Sequence, residues 1–210
     1  LHTNAPPGSG LGSSSAVVVC VVGVVAEHCG LDLTSYEIAE LACLLEREDL
    51  HISGGLQDQY AATFGGFNFM EFTGDEVLVN PLRIQESTVR ELEHNMLLAY
   101  TGRTRFSDHI IEDQVQRFVA GEPEAVKGLR AQRDLAIEMK RLLLRGEVNE
   151  FGVMLGEAWR QKRRMSDRIS TPLIDEAVDV ALKSGALGGK VTGAGGGGYM
   201  LFCCEFERRS

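Results

Sequence analysis

Glycine and hydroxyl side chains are concentrated in one stretch, Pro6-Pro7-Gly8-Ser9-Gly10-Leu11-Gly12-Ser13-Ser14-Ser15-Ala16, which opens directly onto the apolar run Ala16 to Ala26. The chemistry such a stretch offers is anion binding. Glycine tolerates positive φ and lets backbone approach a ligand closely, and the first N–H groups of a following helix point at whatever charge lies ahead of them. Phosphate suits this arrangement. A Walker loop requires a lysine followed by Ser or Thr after its last glycine, but Gly12 is followed by Ser13 and Ser14. The dinucleotide fingerprint fails too, because Gly8 and Gly10 would require glycine where Ser13 stands. A flexible Gly/Ser linker is the alternative, although linkers rarely lead into a fully apolar helix.

Carboxylates come next. Glu46, Glu48 and Asp49 close an amphipathic segment and on composition read as a solvated helix face. Asp58 stands in Gly-Leu-Gln-Asp-Gln-Tyr, near the front of a helical start, where it could serve as a base or merely as an N-cap. Near the C-terminus, Gly188-Gly-Lys-Val-Thr-Gly-Ala-Gly-Gly-Gly-Gly-Tyr199 formally contains Gly-x-Gly-x-x-Gly, yet it leads into the strand Tyr199 to Cys204, whereas the dinucleotide motif opens a helix. Two basic clusters could meet a phosphate: Arg103 with Arg105, and Lys162-Arg163-Arg164. Arg suits phosphate because its planar fork matches the oxygens, and Arg105, then Arg103, is the favoured contact. The second cluster reads better as a solvated face, since successive helix residues point in different directions.

These residues need elements to position them. With 210 residues and 44 % hydrophobic content the chain can bury a core, as one unit or two small lobes. Ser13 to Ser15 offer N-caps and Cys29-Gly30 a stop for a buried helix, apolar all round, that overrides the β propensity of its valines. Ile38, Leu41, Ala42 and Leu45 mark a second helix over Ser35 to Asp49. Phe64 to Phe72, Val77 to Ile84 and Met96 to Tyr100 read as strands, and Ser107 to about Gly185 as several helices broken at Gly121-Glu-Pro123, Gly146 and Thr171-Pro172.

The balance of charge excludes some partners. A net charge of −9 argues against nucleic-acid binding, which needs a basic face. No signal peptide is visible, and Ala16 to Ala26 is too short for a bilayer, which takes about 20 residues. Five cysteines without Cys-x-x-Cys spacing predict a reduced, cytoplasmic protein. The absent initiator methionine and the ending just after an apolar strand lead us to expect truncation at both ends.

The pattern Pro-x-x-x-Gly-Leu-Gly-Ser-Ser resembles the nucleotide loop of the GHMP kinases. Further segments, Gln57-Asp-Gln-Tyr-Ala-Ala with Phe64-Gly-Gly, Tyr100-Thr-Gly-Arg-Thr-Arg105, Ala158-Trp-Arg-Gln-Lys-Arg-Arg-Met-Ser166 and the glycine run, are similar to those of the D-glycero-D-manno-heptose 7-phosphate kinases within that superfamily. The resemblance implies an α+β, two-lobed fold with the site between its lobes. A lobe related to the second domain of ribosomal protein S5 would cover residues 1–90, N-terminally truncated, and a ferredoxin-like lobe residues 91–210. Missing its first strands, the chain would present exposed sheet edges.

It implies ATP as phosphoryl donor, held by Pro7, Gly8, Ser9, Gly10, Leu11, Gly12, Ser13 and Ser14, and Mg²⁺ held by Ser14 and Glu46. Asp58 would be the catalytic base, and Arg105, Arg103, Gln57, Tyr60, Gly195 and Gly196 substrate contacts. The glycine run would pack against the nucleotide loop. The implied reaction phosphorylates the anomeric hydroxyl of the heptose 7-phosphate. A galactokinase- or fucokinase-like activity on an unphosphorylated sugar, or a non-catalytic sugar-binding role, is the alternative. Two departures stand out: Leu56 occupies a position where lysine is expected, and the superfamily's N-terminal substrate motif is absent.

Overall fold

The structure, a computed structural model, describes residues 2–74, 76–103 and 108–208. The fold is α+β, with small antiparallel sheets and packed helices. The chain forms two compact units, Leu1–Pro7 with Gly12–Leu82, and Gly8–Leu11 with Arg83–Ser210. The glycine- and serine-rich loop therefore changes membership twice within a few residues.

In the first unit, helix α1 (Ser13–Cys29) ends at Gly30, whose left-handed φ of 67° lets its N–H reach back to Ala26 and Glu27. Its start differs from expectation: the N-cap is Gly12, also left-handed, and no serine side chain caps the helix. Nor is α1 buried all round. Val22 and Ala26 are inside, while Val24 and Val25 are 63 % and 52 % exposed. Helix α2 (Ser35–Leu44) opens on a capping box in which Thr34 and Glu37 satisfy each other's backbone N–H groups.

The expected helix to Asp49 is interrupted by a π-helical turn over Leu45–Asp49, closed by the Leu50 N–H donating to Leu45 O at 2.9 Å. Helix α3 (Gln57–Phe64) takes Phe64 away from the expected strand, so β1 begins later (Asn68–Thr73) and pairs antiparallel with β2 (Glu76–Pro81). β2 stops at Pro81, short of Ile84, although the Leu82 N–H still donates to Phe67 O at 2.8 Å. Ala39, Cys43, Tyr60 and Val79 form this unit's core, with Tyr36 and Phe64 edge-on at 4.9 Å.

In the second unit, α4 (Glu86–Asn95) fills a segment without a sequence assignment and turns Thr88 and Leu92 inward. A three-stranded antiparallel sheet follows the order β3 (Met96–Tyr100), β5 (Tyr199–Cys204), β4 (Ala186–Val191). Helices α5 (Asp108–Val119), α6 (Pro123–Arg145), α7 (Val148–Arg163) and α8 (Pro172–Lys183) complete it. Ile110, Trp159, Ile169 and Ile174 meet Val191, Met200 and Phe202 in the main core. The strand β4 was not foreseen, because two of its six residues are glycine and local propensity opposes it.

Candidate active site

The first unit gathers carboxylates and hydroxyls. A π turn admits one extra residue, and that addition carries Glu46 inside, leaving it 2 % exposed. The solvated-face reading therefore fails for Glu46, while Glu48 and Asp49 keep it. A buried carboxylate must be satisfied by donors. Ser15 donates to it at 2.8 Å, Ser14 at 3.4 Å, and the amide of Gln59 reaches the same oxygen as Ser15. All these donors are neutral, and among the described residues no cation pairs with Glu46. Ser15 and Gln59 escaped the sequence reading. Their only signal was adjacency to Ser14 and Asp58.

The next residue, Arg47, staples the turn leading to Asp58. Its guanidinium donates to Gly55 O at 2.6 Å and to Ile52 O at 2.9 Å, with the guanidinium lying against Gly54. The turn delivers Leu56 as N-cap of α3, so Asp58 is a first-turn residue and not the cap. Asp58 and Gln57 are exposed. A Cβ placed on Gly12 would stand 3.9 Å from Asp58 Oδ1, which sets that carboxylate beside the start of α1. Tyr60 lies elsewhere: it is 2 % exposed in the aromatic core, and burial, followed by the Glu40 carboxylate, raises its phenol pKa. The structure thus makes Tyr60 a packing residue of the first unit's core.

The second unit holds Gly8–Leu11 against the C-terminal glycine run. Ser9 is wholly buried, and its carbonyl accepts the Tyr199 N–H at 3.1 Å and the Thr192 hydroxyl at 3.3 Å. Gly10 and Gly193 touch backbone to backbone. A Cβ on Gly10 would meet Thr192 O at 2.7 Å, and one on Gly193 would meet Gly10 Cα at 2.9 Å. Both also hold positive φ, so two independent constraints select glycine there. The expected packing of the glycine run on the loop is found.

Within the same unit a cleft is lined by Thr101, Arg103, Thr171, Leu173, Ile174, Gly196 and Gly197. Thr171 caps α8, accepting the Ile174 N–H at 3.3 Å, and Gly196 is fixed by its N–H to Ile169 O at 2.8 Å. Gly195 is buried against Ile169 behind Gly196. Arg105 lies outside the described residues. The second basic cluster divides as its spacing suggested: Arg163 pairs with Asp175 at 3.1 Å and Arg164 with Glu124 at 2.6 Å, whereas Lys162 donates to Gly193 O.

Magnesium takes few hard oxygen ligands and keeps much of its water, so one carboxylate and one hydroxyl suffice beside a phosphate. Ser14 and Glu46 fit that donor set, although among the described residues no group of three or more His, Cys, Asp or Glu could hold a metal. Among the same residues no helix is long and apolar enough to cross a membrane.

The family model for the GHMP kinases N terminal domain matches residues 1–66, and that for the GHMP kinases C terminal region matches 139–209. The D-glycero-alpha-D-manno-heptose 7-phosphate kinase of Campylobacter jejuni subsp. jejuni serotype O:2 is 44 % identical over 96 % of this chain, which spans 60 % of that protein's length. The L-fucokinase/L-fucose-1-P guanylyltransferase of Bacteroides fragilis is 32 % identical over 95 % of this chain and 21 % of its own. The crystal structure of a D-glycero-D-manno-heptose 1-phosphate kinase from Bacteroides thetaiotaomicron superposes with a TM-score of 0.71 at 40 % identity, covering 99 % of this chain and 57 % of that one. With both family models matched over well over half of its length, and relatives of this identity running nearly end to end, the chain belongs to the GHMP kinases.

Proposed function

We propose that this chain carries the phosphoryl-transfer parts of an ATP-dependent sugar kinase. It would phosphorylate the anomeric hydroxyl of D-glycero-D-manno-heptose 7-phosphate, giving the 1,7-bisphosphate for nucleotide-activated heptose and surface polysaccharides. The observation that carries the reading is the buried Glu46 carboxylate held by Ser14 and Ser15, in the unit where Asp58 lies beside Gly12. Phosphoryl transfer needs a held triphosphate, neutralised charge and an oriented acceptor, and little more.

On this reading Pro7 to Ser14 present backbone N–H groups and hydroxyls to the nucleotide, and Asp58 accepts the proton of the acceptor hydroxyl. The acceptor oxygen bonds to the γ-phosphorus as the bond to the β–γ bridging oxygen breaks, and ADP leaves. Ser14 and Glu46 would hold Mg²⁺, which supplies charge neutralisation to the phosphates when bound. Arg103, Thr171 and Gly196 would receive the acceptor's phosphate in their cleft, with Arg105 beside them in sequence. Gln57 remains a candidate acceptor contact from the exposed start of α3.

The relatives differ over the acceptor: one is a heptose 7-phosphate kinase, one a heptose 1-phosphate kinase and a third an L-fucokinase. Arg103 in the cleft favours a phosphorylated sugar over a free one. Release of ADP by the full-length protein should be fast with heptose 7-phosphate and negligible with free galactose or fucose. Comparable turnover of a free sugar would overturn the substrate, and no ADP release with any sugar phosphate would overturn the kinase reading.

A further inference from the structure

Glu46 offers two oxygens, and its neighbours do not treat them alike. Oε2 accepts the Ser15 hydroxyl at 2.8 Å and the Gln59 amide N–H, whereas among the described residues Oε1 meets only the Ser14 hydroxyl, at 3.4 Å. One oxygen is thus held from two sides within the first unit, and the other is turned toward Ser14, an exposed residue.

The two holders come from different helices. Ser15 lies buried in the first turn of α1, and Gln59, wholly buried, follows Asp58 on α3. The Gln59 amide has to present its nitrogen here, because its oxygen would meet a carboxylate oxygen. That orientation leaves Gln59 Oε1 buried without a partner. A buried orphan acceptor destabilises a fold, and an apolar side chain of the same shape would remove it. Packing therefore gives no reason for glutamine at this position, but the N–H that it supplies to Glu46 does. Magnesium demands near-octahedral geometry, which the narrow bite of a carboxylate's two oxygens does not fit, whereas calcium accepts both. Two donors on Oε2 leave Oε1, beside Ser14, as the oxygen that can coordinate.

We infer that Ser15 and Gln59 are positioning residues for the divalent cation: they hold Oε2 of Glu46 so that Oε1 alone is offered to the ion, which makes the site prefer Mg²⁺ to Ca²⁺. The inference deepens the kinase reading above and rests on it. Because Gln59 adjoins Asp58, the same hydrogen bond ties the helix that carries the proposed base to the carboxylate that would hold the metal.

The full-length protein, Gln59→Met, Ser15→Ala and Ser15→Thr would be compared. Electron paramagnetic resonance, with protein in excess over ADP, reads the Mn²⁺ taken up by the protein–ADP complex and its displacement by Mg²⁺ or Ca²⁺, and calorimetry in EDTA reads ADP binding without metal. Gln59→Met keeps the shape and drops the donor. Ser15→Ala removes a single oxygen, so the test stands even where circular dichroism shows Gln59→Met to be poorly folded. Each of these two should weaken Mn²⁺ about tenfold or more, the usual scale for losing a partner of a metal ligand, and should raise the potency of Ca²⁺ relative to Mg²⁺, while metal-free ADP affinity holds. Ser15→Thr keeps the hydroxyl and should recover most of the loss. Wild-type Mn²⁺ affinity in Ser15→Ala and in folded Gln59→Met, or equal losses of Mn²⁺ and metal-free ADP, would overturn the inference and leave the kinase reading standing. An unchanged ratio of Ca²⁺ to Mg²⁺ potency would overturn the selectivity. Failure of the wild type to bind ADP at all would overturn both the inference and the kinase reading.

Discussion

Glu46 and Asp58 are acidic, twelve positions apart, and treated in opposite ways: one is buried among neutral donors, the other is exposed at a helix start. On the proposed reading, burial among neutral donors leaves the Glu46 carboxylate for Mg²⁺, and exposure lets Asp58 reach the acceptor. Replacing Asp58 with Asn removes the base without changing shape, so turnover in the full-length enzyme should fall about a hundredfold or more while ADP affinity holds. An unchanged turnover number would remove Asp58 from the mechanism. Glu46→Gln should show itself differently, by raising the Mg²⁺ concentration needed for half-maximal rate. A magnesium titration that overlays the wild type would argue that Glu46 only anchors Ser14 and Ser15. In the sequence, Asp58 and Glu46 were singled out through family resemblance, since composition favoured a solvated face for Glu46. Its burial depends on a π turn, a one-residue insertion that no hydrophobic period announces.

Elements were legible where local signals and tertiary demands agree. The left-handed Gly30 ends α1 where Cys29-Gly30 promised, and β5 follows the glycine run as its apolar residues required. Legibility failed where the partner is distant in sequence. Of the β4 glycines, Gly188 makes sense only against α7 and Gly189 only against Leu201 and Phe202 of β5; a Cβ on Gly156 would meet Gly188 Cα at 3.3 Å, and one on Gly152 would stand 2.6 Å from Cys203 Sγ. Helix and sheet approach there too closely for any side chain. Gly152→Ala should therefore destabilise the full-length protein by about 1–3 kcal/mol, the usual cost of overpacking, despite alanine's better helix propensity. A lowered urea midpoint is the readout. Adding Cys203→Ala should recover part of it, because the sulfur goes while a Cβ contact at 2.8 Å remains. A Gly152→Ala midpoint at or above wild type would contradict this packing.

At the scale of the whole molecule, the chain does not divide at one point. Gly8–Leu11 belongs with the second unit and the residues on either side with the first, a crossing visible only once Tyr199 and Thr192 are known to hold the Ser9 carbonyl. Cysteine chemistry follows how each unit buries its core. Cys20 and Cys29 lie exposed on α1, while Cys43 and Cys203 sit inside the two units, and burial raises each of those thiols to about 11. The thiolate is the reactive form, so a raised pKa and a closed core act in the same direction. At pH 8 an alkylating reagent should label Cys20 and Cys29 within minutes and Cys43 and Cys203 only at the rate of unfolding, as read by mass spectrometry of peptides from the full-length protein. Denaturant should erase the difference, because an unfolded thiol returns to its ordinary pKa of roughly 8.5. Rapid labelling of Cys43 in the native protein would mean that the core of Tyr60, Ala39 and Val79 opens readily, and with it the helix that carries Asp58.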